Sequence, residues 1–112
     1  MNKFEDERGI IEDLKVGKDW SVTYISFKKG AVRGNHYHKQ TIQTDTILSG
    51  RFWCYSGKSR KELEAGDMVN HPSGVPHAYQ AITDGEMVSI CRGVRIGDNY
   101  ESDMFRLDEK LI

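Results

Sequence analysis

Cysteine is scarce in this chain of 112 residues: there are two, Cys54 and Cys91. That is too few for a disulfide framework, and both sit in apolar stretches where buried free thiols are expected. Net charge is also lacking, since 16 Lys and Arg stand against 17 Asp and Glu. Without a basic excess there is no electrostatic argument for nucleic acid or an anionic membrane as partner. No apolar run approaches the ~20 residues of a membrane span. The opening residues MNKFEDERGI are charged and hold no signal-peptide core, so a cytoplasmic location is expected. Repeats, low-complexity tracts, linkers and long helical patterns are absent, and the expectation is one domain over residues 1–112. At this length a single core is possible and a partner subunit would help, so a homodimer is expected.

What is present is a series of short strand patterns broken by turn residues. Residues 20–27, WSVTYISF, alternate at period two. Residues 43–48, 51–55, 67–71, 75–81 and 86–92 are rich in β-branched and aromatic residues. Between them lie glycine-bearing turn signals such as SGR at 49–51, AGD at 65–67 and PSGVP at 72–76. This rhythm predicts an all-β sandwich or barrel. The tail, residues 100–112, is expected to add an edge strand and to end in a short helix.

The chemistry-bearing residues cluster in GNHYHKQTIQ, residues 34–43. His36 and His38 are two apart, so on a strand they project from one face, about 7 Å apart along the chain. Gln43 would face the other way on an unbroken strand, but a reversal through residues 39–42 lets it open the next one. His77 follows two prolines and a glycine within five residues, a rigid mount for one side chain. His71, just before Pro72, reads as a rim or surface residue. Trp53 and Tyr55 share one face and Phe52 and Cys54 the other; one pair lines the interior, and period two does not choose between them.

The spacings assemble further. Gly30 is followed by His36, His38, Gln43 and Gly50 in the pattern G-x5-H-x-H-x4-Q-x6-G. Gly66, Pro72, Gly74 and His77 then form G-x5-P-x-G-x2-H. The pair resembles the two motifs of the cupin superfamily, with Gln43 where a glutamate is usual and Ala81 where an asparagine is usual. The resemblance implies a cupin double-stranded β-helix, or jelly-roll, barrel. It also implies that His36, His38, Gln43 and His77 hold a divalent transition metal: Zn, Ni, Mn or Fe. A glutamine in that set leaves the ion at +2 rather than +1, a stronger Lewis acid that prefers an anionic oxygen ligand. The alternative is a barrel of the same descent without metal, in which His36 and His38 are hydrogen-bonded pocket residues.

A second resemblance is carried by Phe4, Asp6, Arg8 and Gly9, in F-x-D-x-R-G, and by Arg33-Gly34-Asn35-His36-Tyr37-His38. These segments are similar to those of sugar-nucleotide cupins: the dTDP-4-dehydrorhamnose 3,5-epimerases, the dTDP-keto-hexose 3,4-ketoisomerases and the metal-containing cupin domain of capsular-sugar enzymes. It implies that Arg8 and Arg33 bind substrate phosphates or order the pocket. His36 or His38 would serve as catalytic base if no metal is bound. Tyr79 shares parity with His77 and could return a proton; its other reading is a core aromatic with a satisfied hydroxyl. Arg8 could equally be a surface ion pair, and Arg33 a surface residue, because its parity opposes that of His36. Short cupins with three histidines and a glutamine also open or isomerise uronate sugars, which suits this length. The expected function is a metal-binding sugar isomerase or epimerase acting on a keto-sugar, sugar acid or nucleotide sugar. The alternatives are an iron-dependent dioxygenase and a non-catalytic module that binds a small, carbohydrate-like ligand.

Overall fold

The computed structural model describes residues 3–93 and 103–112. Eleven strands run through them: β1 Lys3–Asp6, β2 Gly9–Val16, β3 Trp20–Phe27, β4 Val32–Tyr37, β5 Ile42–Ser49, β6 Arg51–Ser56, β7 Ser59–Glu64, β8 Met68–His71, β9 His77–Ala81, β10 Gly85–Arg92 and β11 Phe105–Arg106. All pairings are antiparallel. They form a six-stranded sheet, β1-β2-β3-β10-β5-β8, and a five-stranded sheet, β11-β4-β9-β6-β7. The all-β expectation holds among the described residues. The expected helix at the end of the tail does not: beyond β11 the chain to Ile112 has no regular structure.

Strand alternation sorts side chains onto two faces, and the register decides which layers meet. Phe52 pairs with Ala81, and Met87 with Ile47, so these buried groups sit in one layer. Phe27 meets Phe52 edge to face, with centroids 4.8 Å apart, and closes that end of the interior. Phe52 and Cys54 are therefore the interior pair on β6, while Trp53 carries the Arg60 guanidinium over its outer face. Neither cysteine is in a disulfide, and both are buried, as expected.

Towards the other end the same strands turn polar. On β5, Ile47 gives way to Asp45 and then Gln43; on β9, Ala81 gives way to Tyr79 and then His77. Gln43 pairs with His71 on β8 and with Cys91 on β10, so one layer of the interior collects the chemistry-bearing residues.

One irregularity decides how that layer is filled. β4 pairs with β9 as Arg33 to Tyr79 and Gly34 to Ala78, then skips Asn35 and resumes at His36 to His77. This is a β-bulge, which inserts one residue and resets the alternation. Asn35 takes φ 59° and Gly34 φ 99° to make it. Glycine is required at 34, because a Cβ there would lie 2.8 Å from the His77 carbonyl oxygen. The bulge turns Arg33 and His36 to the same side, and the expected opposition of their parity disappears. The tail holds it in place: the backbone amide of Leu107 donates to the Asn35 carbonyl, and those of Leu111 and Ile112 donate to its side-chain oxygen.

Candidate metal centre

His36, His38 and His77 converge in the polar layer. Their ring centroids are 4.6 to 5.4 Å apart, and one nitrogen of each lies within 4.8 Å of the others. His36 lies near the end of β4, His38 just beyond it, and His77 opens β9. Burial and the neighbouring imidazoles hold both His36 and His77 unprotonated, at about 4 and about 2. Neutral imidazole is the form that ligates a metal. Neither nitrogen of His77, nor Nδ1 of His36, has a hydrogen-bond partner among the described residues. Buried polar atoms are rarely left so, and each unmet one costs about 1–3 kcal/mol.

The orientation of His38 is fixed from behind. Its Nδ1–H donates to the backbone carbonyl of Asp103 at 2.7 Å, so a ring carrying that single proton has Nε2 left to accept. That Nε2 stands 3.2 Å from Oε1 of Gln43. The amide is oriented too, because Gln43 Nε2 donates to both oxygens of Asp45 at 3.0 and 2.9 Å. With that single proton, two acceptors face each other here, with the rings of His36 and His77 close by. A cation shared between them resolves that conflict, and the donor set of imidazole nitrogens plus one amide oxygen suits a divalent transition ion. The four expected ligands fit the group on this geometry.

The tail contributes through Asp103, whose carboxylate accepts the backbone N–H groups of Lys39, Gln40 and Thr41. Those bonds hold its pKa below the usual carboxylate range against the opposing effect of burial. The side chain thus straps the loop between His38 and Gln43.

Behind Gln43 lies a network that sequence reasoning missed. Asp45 is fully buried and accepts the Tyr79 hydroxyl at 2.5 Å. His71 Nε2–H donates to the same hydroxyl at 2.6 Å, and its ring stacks on His77 with centroids 4.2 Å apart. His71 is therefore not a rim residue; its relative exposure is 0%. Its parity with the buried Val69 was the signal that points it inward, as parity with Gln43 was for Asp45. Burial and the adjacent Asp45 carboxylate raise the Tyr79 hydroxyl well above 10.

The cluster opens into a cavity of about 540 Å³ whose wall includes Arg8, Arg33 and Arg106. Arg8 is paired with Asp6 at 2.7 Å, and it also lines the cavity. Arg33 is only 7% exposed. Its Nη2 reaches the Ser26 carbonyl at 3.3 Å, and its guanidinium lies 5.3 Å from the Phe27 ring centre. Nε and Nη1 have no partner among the described residues. Burial, and then the charge of Arg8, push its pKa down from the usual value. The cavity thus joins a nitrogen-and-oxygen cluster to an unsatisfied buried cation.

The histidine values set a pH dependence for the metal-free protein. Folded His36 and His77 stay neutral where the unfolded chain, near 6.5, takes protons. The unfolded state then binds more protons, so stability falls as pH drops below about 6.5. The loss is up to about 1.4 kcal/mol per pH unit for each histidine, and that of His36 levels off near pH 4. Urea unfolding of the metal-free protein at pH 7, 6 and 5 should show this slope, reduced in His77→Ala; a flat profile would contradict it.

The cupin domain family model matches residues 23–91. Oxalate decarboxylase OxdC of Bacillus subtilis (strain 168) is 29% identical over 79 residues, which are 67% of this chain and 20% of that protein. The chain thus spans about a fifth of the length of this curated relative. A solved structure of the Bacillus subtilis enzyme, one concerned with its Mn(II) centres, matches with a TM-score of 0.80 at 20% identity, over 95% of this chain and 30% of that one. KdgF from Halomonas sp. matches with a TM-score of 0.76 at 20% identity, over 85% of this chain and 88% of its own. The capsular polysaccharide assembling protein CapF of Staphylococcus aureus matches with a TM-score of 0.75 at 21% identity, over 96% of this chain and 32% of its own. These likenesses establish the fold as the double-stranded β-helix expected above. No helix among the described residues is long and apolar enough to cross a membrane.

Proposed function

The chain belongs to the cupin family, and from that premise we propose that it is a metal-dependent isomerase or epimerase of a small anionic keto-sugar or sugar acid. One observation carries the reading. A convergent ligand cluster shares a cavity of about 540 Å³ with the buried, partly unsatisfied guanidinium of Arg33. His36, His38, Gln43 and His77 would hold a divalent ion such as Zn, Ni, Mn or Fe; the Mn(II) centres of oxalate decarboxylase support manganese as one candidate. When bound, the ion would act as a Lewis acid that polarises a carbonyl oxygen.

Arg33, which lines the cavity, would draw the carboxylate or phosphate of the substrate by its charge. Arg8, already paired with Asp6, would add positive potential at the mouth. Phe27, Ile25 and Met87 give the cavity an apolar wall against which a sugar ring can lie. The ring of Tyr79 lines the cavity, but its hydroxyl is committed to Asp45 and His71, so the expected proton return would have to come from another group. The capsular polysaccharide role in CapF's name supports a carbohydrate ligand over other small anions. The reading includes a homodimer, since Trp20, Ile42, Leu48, Met68 and Ile90 are exposed on the outer face of the six-stranded sheet.

Proton exchange in D2O tests the reaction class. The metal-loaded protein, incubated with uronates and keto-sugar phosphates, is expected to incorporate deuterium beside the carbonyl, visible by proton NMR and abolished by a chelator. Binding without exchange would mean a non-catalytic module, and oxygen uptake with iron would mean a dioxygenase. Molar mass in solution checks the dimer.

A further inference from the structure

Gln43 is a weak ligand on its own: an amide oxygen is neutral, and an amide can rotate to present its NH2 instead. The residue behind it removes that freedom. Asp45 lies two positions further along β5, on the same face, and is fully buried. A carboxylate only accepts hydrogen bonds, and both of its oxygens are within 3.0 Å of Gln43 Nε2. A rotated amide would set its oxygen against that carboxylate and its NH2 against the histidine cluster. Asp45 is itself held by the Tyr79 hydroxyl, and His71 Nε2 lies 2.6 Å from that hydroxyl and 3.3 Å from Asp45 Oδ2.

We propose that Asp45 is a positioning residue for the metal centre: it commits Gln43 to ligation through oxygen and supplies, one residue removed, the negative charge that a ligating glutamate would have brought. The inference rests on the metal-binding reading above and deepens it. Three imidazoles and an amide leave a divalent ion at +2 in a buried site. A carboxylate hydrogen-bonded to the amide offsets part of that charge and polarises the amide, which makes its oxygen the better donor. The ligand set therefore extends to a glutamine–aspartate pair that divides between two side chains what a glutamate does with one.

The pair can be tested by exchange of its two functions. Asp45→Asn places an NH2 where Gln43 needs an acceptor. It should weaken Co2+ binding by about 10- to 100-fold, the usual cost of losing such a support, and change the visible spectrum of the bound Co2+. Gln43→Glu alone faces a second carboxylate and should not improve on the wild type. The double variant Q43E/D45N restores a donor-to-carboxylate contact in the opposite sense, with the amide oxygen of the introduced asparagine left to accept from Tyr79. It should return Co2+ affinity to within a few-fold of wild type.

Wild-type affinity and spectrum in Asp45→Asn would overturn the proposal. So would a folded Q43E/D45N variant as weak as the single variant, because Asp45 would then matter only to packing. Should Asp45→Asn fail to fold, the double variant measured against wild type still decides. A wild type that binds no Co2+ would fail at the earlier step, the metal reading itself, and Asp45 would fall with it.

Discussion

Replacing His77 by alanine is expected to abolish stoichiometric metal binding while leaving the metal-free fold about as stable as before. The two effects separate because of what surrounds the ring. Its nitrogens are buried with no hydrogen-bond partner among the described residues, so the apo protein gains little from them. Removing the imidazole loses the stacking on His71 and leaves a small cavity, but it also removes two unmet polar atoms. These contributions oppose each other, each on the order of 1–3 kcal/mol. Metal affinity has no such compensation, since one of three converging imidazoles is gone. The loss should exceed the about 10- to 100-fold typical of removing a supporting residue. Thermal unfolding with and without metal reads both at once. Wild type at a free metal concentration of 100 times Kd gains about 2.7 kcal/mol, a rise in Tm of several degrees, and His77→Ala shows no rise. A variant that unfolds without metal, or still responds to it, would contradict the account.

Arg33→Met is the second large effect, and its two arms have opposite signs. In the free protein the guanidinium is desolvated, and burial and Arg8 both disfavour its charge. Two of its nitrogens lack partners among the described residues, at about 1–3 kcal/mol each. Against this stand one 3.3 Å hydrogen bond to Ser26 and the contact with the Phe27 face. The latter is worth about 0.5–2 kcal/mol. Methionine keeps the apolar stem, so the variant should be more stable by about 1–3 kcal/mol, read from urea midpoints. Binding of an anionic sugar should suffer the reverse. Truncating one partner of a buried charge pair costs about 2–5 kcal/mol, which is a loss of affinity of about 30-fold or more. Titration of a uronate into the metal-loaded variant checks this. A destabilised variant that binds as well as wild type would return Arg33 to a structural role.

The difference between those two residues shows what the sequence could carry. His36, His38 and His77 were legible because spacing and strand parity are local, and proline and glycine before His77 mark its turn. Gln43 was legible once the chain was allowed to reverse before it. Arg33 was not placed, because its parity with His36 is inverted by the bulge at Asn35, and a bulge depends on pairing with β9 and on the tail. A second bulge, between Asp13 and Lys15, likewise breaks the alternation of β2, a strand the period-two reading did not find. β7 was missed for another reason. It is an edge strand with one buried side chain, Leu63, and charged residues along most of the rest, the usual protection of a sheet edge. Asp45 and His71 are different again. Their parity with Gln43 and Val69 was on the page, but a buried network becomes visible only when three strands are brought into register.

The central claim is that the histidines and Gln43 form a metal centre rather than a set of hydrogen-bonded pocket residues. Elemental analysis of the purified protein, after reconstitution with Mn, Fe, Ni or Zn, tests it most directly. The account predicts about one transition-metal ion per chain, lost in His77→Ala. No bound metal under any of these conditions would contradict it and leave His36 and His38 as acid–base groups of a metal-free pocket.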